Sequence, residues 1–438
     1  MKKIKFHAIV LGTTFMLVSA LSLSSEMLPN EDRAAEKLNE AAETYVKLGL
    51  ELGEYDTDYV DAYIGPKQWK HDAKKNLRSK QKLAKDIAAL LKELKNLSPS
   101  NKELITRHKA LFRNVRAMDV RIRMVNGEKF SFAEEARLIY DVTLPKYDFT
   151  EFDKVLDEID KLIPGDGDLA SRVDAFRETF IIPEKQVNAI FERAIEECRQ
   201  RSAKYIQLPD NESLTLEYVT NKSWSAYNSY QGNNNSLAQM NLDFPIKIDK
   251  AVDLGCHEGY PGHHVWNVLV ETNLLNKNGW IEFSIYPLFS PYALIGEGSA
   301  NYGVELAFPD EEKVNFESDV LYPMASLDSA KAESLNKLNK LTTKLSHVRT
   351  ATAQLYLDGK ITREQAIEQR RIYGLMSKEE AEMKVRFIEQ YRSYVLNYNL
   401  GKDIVSEYIN KQGDTPDARW RAFERMLTEL STASDMRN

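Results

Sequence analysis

Residues 256–266 read CHEGYPGHHVW. The stretch holds three of the chain's seven histidines, His257, His263 and His264, beside Glu258, and it interrupts them with Pro261 and Gly262. A helical zinc site usually spaces its ligands as His-Glu-x-x-His, because residues four apart share a face and lie about 6 Å apart along the axis. The His-Glu start is present, but position i+4 is Pro261, which lacks an amide hydrogen and clashes with the preceding turn. On an undistorted helix His263 would sit roughly 9 Å from His257 along the axis and off its face, and His264 would share the face at roughly 10 Å. Both are too far for one ion. The Pro-Gly pair resolves the difficulty: Pro261 forces a bend, Gly262 tolerates the backbone that results, and a histidine just beyond can swing back toward His257. Spacing alone leaves His263 and His264 both open for that role.

Glu258 follows a ligand directly, which in zinc hydrolases sets a carboxylate beside the coordinated water. Zinc lowers the pKa of such a water to about 7, and a general base in this place contributes roughly 10²- to 10⁴-fold in rate. A catalytic zinc needs a third protein ligand and one open position. The segment IGEGSANYGVE, residues 295–305, offers Glu297, with Asn301 one turn later to orient it and Glu305 in reserve. Many acids follow the motif, so spacing does not single out Glu297.

The chain has 438 residues, 43% of them hydrophobic and 29% charged, which places it among folded globular proteins. A net charge of -7 gives no reason to expect nucleic acid as a partner. Lys2, Lys3 and Lys5 precede a mostly apolar stretch, residues 8–21, that ends in small residues. That pattern reads as a signal peptide over residues 1–25, since its apolar core falls short of the about 20 residues a membrane span requires. No later apolar stretch reaches spanning length. The expectation is an exported protein, periplasmic or secreted, with no stable membrane span in the mature chain. Cys198 and Cys256 are the two cysteines. They are expected as buried free thiols, because a bridge at Cys256 would constrain the neighbouring metal ligand.

Residues 26–205 form an N-terminal helical region, opening with Leu38, Ala41, Ala42, Tyr45, Leu48 and Leu52 at the spacing of one helix face. Ser131 with Glu134, Thr362 with Gln365 and Ser377 with Glu380 read as capping boxes. The Asp- and Tyr-rich segment 55–63 reads as a polar turn over a helix end. Between residues 214 and 245 the helical rhythm breaks into strand and turn, with residues 233–235 as a hairpin turn. The aromatic residues between 224 and 230 are expected to pack this sheet. Residues 206–438 make the zinc-site catalytic region, and helix returns after residue 326. The fold class is mainly α: a helical two-lobed body with a small antiparallel sheet beside the active-site helix.

From about residue 205 onward the chain resembles a bacterial family, the domain of unknown function eight-eight-five, whose members look like gluzincin-type zinc metallopeptidases of mostly helical fold. The family pattern His-Glu-x-x-Pro-Gly-His matches His257, Glu258, Pro261, Gly262 and His263. The resemblance implies that His257 and His263 hold zinc and that Glu258 is the general base. The family's Glu-Gly-Trp-Ala-x-Tyr resembles Glu297, Gly298, Ala300 and Tyr302, with Ser299 in place of the tryptophan, which implies Glu297 as third ligand. SLAQMNLDFP, residues 236–245, resembles the family's strand, so Ser236 and Asn241 are expected on an edge that pairs with an extended peptide, with His264 beside them. DGKITREQAIE, residues 358–368, resembles a family helix start, while Leu357 stands where many members carry histidine. Arg349 aligns with a family arginine, and NYNLG, residues 397–401, resembles a Ser-Tyr-x-x-Gly segment. Tyr398 is thereby implied as a donor to the oxyanion, and Arg349 is expected as the alternative donor.

These readings converge on a zinc metallopeptidase with a peptide substrate. Two alternatives stand beside it: hydrolysis of another amide or an ester, and an exported protein that binds metal without turnover. Replacing Glu258 with Gln separates enzyme from binder, because only an enzyme loses anything by it.

Overall fold

The computed structural model describes residues 30–437 apart from 310 and 430, so the expected signal segment lies outside the described residues. The apolar stripe beginning at Leu38 forms one face of a helix, Asn30–Tyr55, and all six residues that define the stripe are buried. The chain then turns, as its Asp and Tyr content suggests, into a short strand β1, Val60–Tyr63. Ser131 and Thr362 each close a capping box in both directions. Ser377 accepts the amide of Glu380, but the Glu380 carboxylate lies 3.8 Å from Lys247 and does not return the bond.

The break in helical rhythm is a three-stranded sheet: β2, Ser213–Val219; β3, Ala226–Gly232; and β4, Asn235–Asn241. β3 and β4 form an antiparallel hairpin whose turn residues Asn233 and Asn234 both take positive φ, 53° and 63°. Asparagine tolerates that region better than other side chains, which is why a tight turn falls here. β2 then pairs in parallel along the other side of β4, so the spatial order is β2-β4-β3. A separate antiparallel pair joins β1 to β5, Ile285–Pro287.

Helices make up most of the remainder, and most of their apolar faces meet in one main core running from Leu38 to Met436, with a small separate cluster between the helices that carry Ala366 and Ala381. The division at 205/206 read from the sequence is thus a boundary of composition, and the two regions share one core. Among the described residues no helix is long and apolar enough to cross a membrane.

The cysteines correct the expectation of free thiols: Cys198 and Cys256 form a disulfide with Cα atoms 5.5 Å apart. Cys198 lies on the helix Val187–Ser202 and Cys256 on Asp249–Glu258, and these helices pack directly together. The bridge acts from behind the ligand, tying the motif helix to its neighbour.

Candidate metal centre

The motif folds as its Pro-Gly pair demands. The helix Asp249–Glu258 stops at Glu258, the Tyr260–Pro261 peptide is cis, and a new helix, His263–Leu269, begins at once. The Gly262 amide turns back to donate to the Cys256 carbonyl at 3.1 Å. A β-carbon on Gly262 would lie 1.9 Å from the His257 carbonyl oxygen, so only glycine permits this return. As a result the His257 and His263 rings stand edge to face with centroids 4.7 Å apart, and their Nε2 atoms are 3.1 Å apart.

The turn is fixed from two sides. Asn228 on β3 donates its side-chain amide to the Glu258 carbonyl at 2.7 Å, satisfying one of the carbonyls left open at the helix end. On the opposite side, Glu212 accepts from the Tyr260 hydroxyl, meets His264 Nε2 at 2.9 Å and pairs with Arg199. Burial works against the charge on Glu212, but His264, Tyr260 and Arg199 outweigh it and bring its pKa down to about 2. The other His264 nitrogen, Nδ1, lies 2.9 Å from Ser236 Oγ. His264 is therefore fully buried and locked away from the cleft, which corrects its expected place at the substrate.

Glu297 arrives on the helix Pro291–Ala307. This helix crosses Leu400–Asn410 so closely that a β-carbon on Gly298 would lie 2.4 Å from the Gly401 carbonyl carbon. That approach sets Glu297 Oε2 3.3 Å from His257 Nε2 and Oε1 3.6 Å from His263 Nε2. The hydroxyl of Tyr394 donates to Oε1 at 2.6 Å. Asn301, expected to orient Glu297, instead donates to the Tyr398 carbonyl at 3.1 Å. Glu305 is exposed and paired with Lys402, which removes it as a reserve ligand.

His257, His263 and Glu297 form a largely buried group that could hold a metal ion. Their separations test the fit. Four ligands at about 2.0–2.1 Å around a tetrahedral zinc lie about 3.3–3.4 Å from one another. The His257–His263 and His257–Glu297 Oε2 separations, 3.1 and 3.3 Å, lie close to that edge length, and the 3.6 Å approach to His263 is made by the other carboxylate oxygen, Oε1. Glu297 Oε2 is buried and accepts no hydrogen bond, so one donor atom is left over for an ion.

The electrostatics favour a cation as well. Burial pushes the Glu297 carboxyl up, but the two imidazoles outweigh it and hold it below the usual carboxylate range. Burial likewise opposes charge on His263, yet Glu297, Glu258 and Asp61 together raise it to about 9. Glu258, 4% exposed, is shifted up by burial, with the imidazoles opposing, and its Oε2 has no hydrogen-bond partner. Three carboxylates thus surround two imidazoles.

The group opens on a cleft of about 780 Å³, within the usual range of small-ligand sites. Tyr398 and Arg349 line it, with the Arg349 guanidinium 5.0 Å from the Tyr398 ring centre. Burial first, then the charge of Glu297, raises the Tyr398 phenol, so it stays a proton donor. Ser236 and Asn241 do not line an edge. β4 is the central strand with both sides paired, Ser236 is held by His264, and the Asn241 amide donates to the Lys222 and Trp224 carbonyls. The edge strand in the cleft wall is β3, through Ala226, Tyr227 and Asn228. The expectation that aromatic residues between 224 and 230 pack the sheet is met by Tyr230, buried and bonded to Glu271, while Trp224 and Tyr227 face the cleft.

Four further residues were not singled out from the sequence: Tyr394, Asn228, Glu212 and Asp61. Asp61, on β1, accepts from the Tyr227 hydroxyl at 2.9 Å, and burial raises its pKa to about 7 against that bond. Asp61 lies in the segment 55–63 that otherwise reads as a turn. Tyr394 stands one turn before Tyr398, and a helical reading of that segment would have brought it forward.

No protein-family model matches the chain, and no curated protein matches it. Among solved structures it is similar to one described as "the putative lipoprotein from Colwellia psychrerythraea", with a TM-score of 0.50 and 16% identity over 82% of this chain and 71% of that one. A structure described as "BsuCP" is similar over 91% of this chain and 89% of that one, with a TM-score of 0.43 and 10% identity. The first likeness is one of fold, and the second is too slight to bear an argument.

Proposed function

We propose that this chain is an exported, zinc-dependent metallopeptidase in which Glu258 is the general base. The observation that carries the reading is the convergence of one ligand atom each from His257, His263 and Glu297, with Glu258 lining the same cleft and its Oε2 unpartnered. The resemblance of residues 257–263 to a zinc-peptidase pattern supports it. An ion held by these ligands would supply Lewis acidity to the substrate carbonyl and to water.

The chain's own residues do the rest. Glu258 takes a proton from the attacking water as its oxygen bonds to the carbonyl carbon, then delivers that proton to the amine as the C–N bond breaks. Tyr398, whose phenol stays protonated, donates toward the developing oxyanion. β3, which pairs with β4 alone and lines the cleft, offers an extended peptide a strand to lie along, in the place first assigned to β4. Export is supported by the lysine-led apolar start and by the Cys198–Cys256 disulfide, a bond that persists in oxidising compartments.

The test pairs metal analysis of purified protein with mass spectrometry of a peptide mixture, with and without chelator. Glu258→Gln should keep stoichiometric zinc and lose roughly 10²- to 10⁴-fold in cleavage rate. A wild-type protein that takes up no divalent metal, or one whose cleavage survives both chelation and Glu258→Gln, refutes the reading.

A further inference from the structure

The cleft wall beyond the metal group carries an unbalanced charge. Lys250, Lys313, Lys340 and Lys402 line the cleft, and each pairs with a carboxylate. Arg349 and Lys384 also line it and pair with none among the described residues. Arg349 rests on the face of Tyr398, and Lys384 donates to the Ser225 hydroxyl at 3.3 Å.

Their positions follow from three helices packed side by side, Val348–Leu357, Arg363–Gly374 and Lys378–Tyr391, each of which contributes one cation. The third is Arg370, 5% exposed, whose buried Nε has no hydrogen-bond partner. Burial first, then Arg349 and Arg370, press the Lys384 ammonium down to about 8. Burial, with Arg349 adding to it, brings the Arg370 guanidinium down to about 9. Glu380, one turn before Lys384 on its helix, partly offsets it but pairs with Lys247, and Glu297 acts on Arg349 from the metal group. Three cations with no ion pair of their own among the described residues form a site short of an anion.

The site is close to the chemistry. Arg349 reaches Glu297 through two rings: its Cζ is 5.0 Å from the centre of Tyr398, Tyr398 is 5.9 Å from Tyr394, and the Tyr394 hydroxyl is on Glu297. A peptide carboxylate held there would lie a few residues from the bond cut at the metal, each residue spanning about 3.3–3.6 Å. A planar guanidinium beside a flexible ammonium suits a carboxylate.

We propose that Arg349 and Lys384 anchor the C-terminal carboxylate of the substrate, so that the protein removes short fragments from the C-terminal end of peptides. The proposal rests on the hydrolase reading and adds its substrate class. It also moves Arg349 from the oxyanion, its expected place beside Tyr398, to the substrate's terminus.

The test uses zinc-loaded protein and pentapeptides: an N-acetylated uncharged sequence as free acid and as C-terminal amide, the same amide with its last residue replaced by glutamate, and the unacetylated acid and amide. The free acid should show a kcat/KM roughly tenfold or more above the plain amide, the worth of a charge-assisted hydrogen bond. Arg349→Gln and Lys384→Gln should shrink that ratio toward one, and added salt should do the same. Far-UV circular dichroism and zinc content establish that both variants fold. Equal rates for acid and plain amide overturn the proposal and leave the hydrolase standing. A glutamate amide cut as fast as the free acid also overturns it, since the anchor then reads a side chain. Cleavage only of unacetylated peptides, whatever their C-terminus, overturns it in favour of an amine anchor at Asp61. If no peptide is cut, the hydrolase reading has failed and binding decides: calorimetry with Glu258→Gln protein should find an N-acetyl dipeptide acid bound about tenfold more tightly than its amide. Equal binding overturns the anchor.

Discussion

Tyr394→Phe isolates one hydrogen bond at the proposed centre. The Tyr394 ring is 4% exposed and sits against Tyr140, Phe289, Tyr391 and Tyr398, contacts that phenylalanine keeps. What is lost is the hydroxyl that donates to Glu297 Oε1 at 2.6 Å. A hydrogen bond to a charged group is worth about 1.5–3 kcal/mol. Because Oε2 already accepts nothing, the loss leaves both carboxylate oxygens facing imidazole alone. Removing a partner that orients a ligand weakens metal binding by about 10- to 100-fold, or about 1.4–2.8 kcal/mol. Competition with a chromophoric chelator at neutral pH measures this as a rise in the zinc dissociation constant. Circular dichroism of the metal-free variant should meanwhile show native helix content. An unchanged dissociation constant would mean that helix packing alone fixes Glu297, and the role given to Tyr394 would be refuted.

Gly298→Ala forces a β-carbon to 2.4 Å from the backbone of Gly401, so the two helices must part. Overpacking of this kind costs about 1–3 kcal/mol, which urea unfolding would detect, and an unchanged midpoint would show that the crossing can give. The Cys198–Cys256 bridge spans 58 positions and is worth about 4 kcal/mol in the chain-entropy picture, so Cys198→Ser should lower the urea midpoint and added reductant should leave the variant unmoved. Glu317 is buried, and its Oε1 accepts no hydrogen bond. Lys313, 3.6 Å away, is also engaged by Asp253, and burial raises the Glu317 pKa to about 8. The folded chain therefore holds this proton longer than the unfolded chain. Its contribution is fully present below the ordinary carboxyl pKa of about 4.3 and is lost as pH rises through about 8. Glu317→Gln should flatten the stability profile across that window, and an unaltered slope would place the proton elsewhere.

Local chemistry made the helices, the hairpin turn and the two histidines readable in advance. Period and capping place Asn30–Tyr55 and Arg363–Gly374, and two asparagines of positive φ mark the β3–β4 turn. Pro261 and Gly262 announce a bend, but spacing could not decide which histidine it returns; the backbone path past Cys256 does. Contacts made at long range were out of reach. β2 joins β4 in parallel from an earlier part of the chain, turning a presumed edge into a central strand and moving Ser236 and Asn241 away from the cleft. Tyr394, Asn228, Glu212 and Asp61 meet the centre only through tertiary folding. The cysteines misled for another reason. A bridge at Cys256 looked like a constraint on its neighbour, whereas it braces the rear face of the same helix.

The shared core sets a limit on dissection. The floor of the cleft needs Asp61 from near the start of the chain, and the apolar face under the motif helix is completed by the helix Val187–Ser202 and sealed through Cys198. A shortened version beginning at residue 206 would keep every proposed ligand and lose the ground they stand on. It would expose the back of its own motif to water and leave Cys256 without its mate. Whatever chemistry the cleft performs belongs to the whole described chain, and trimming from the front should abolish folding before it touches a ligand.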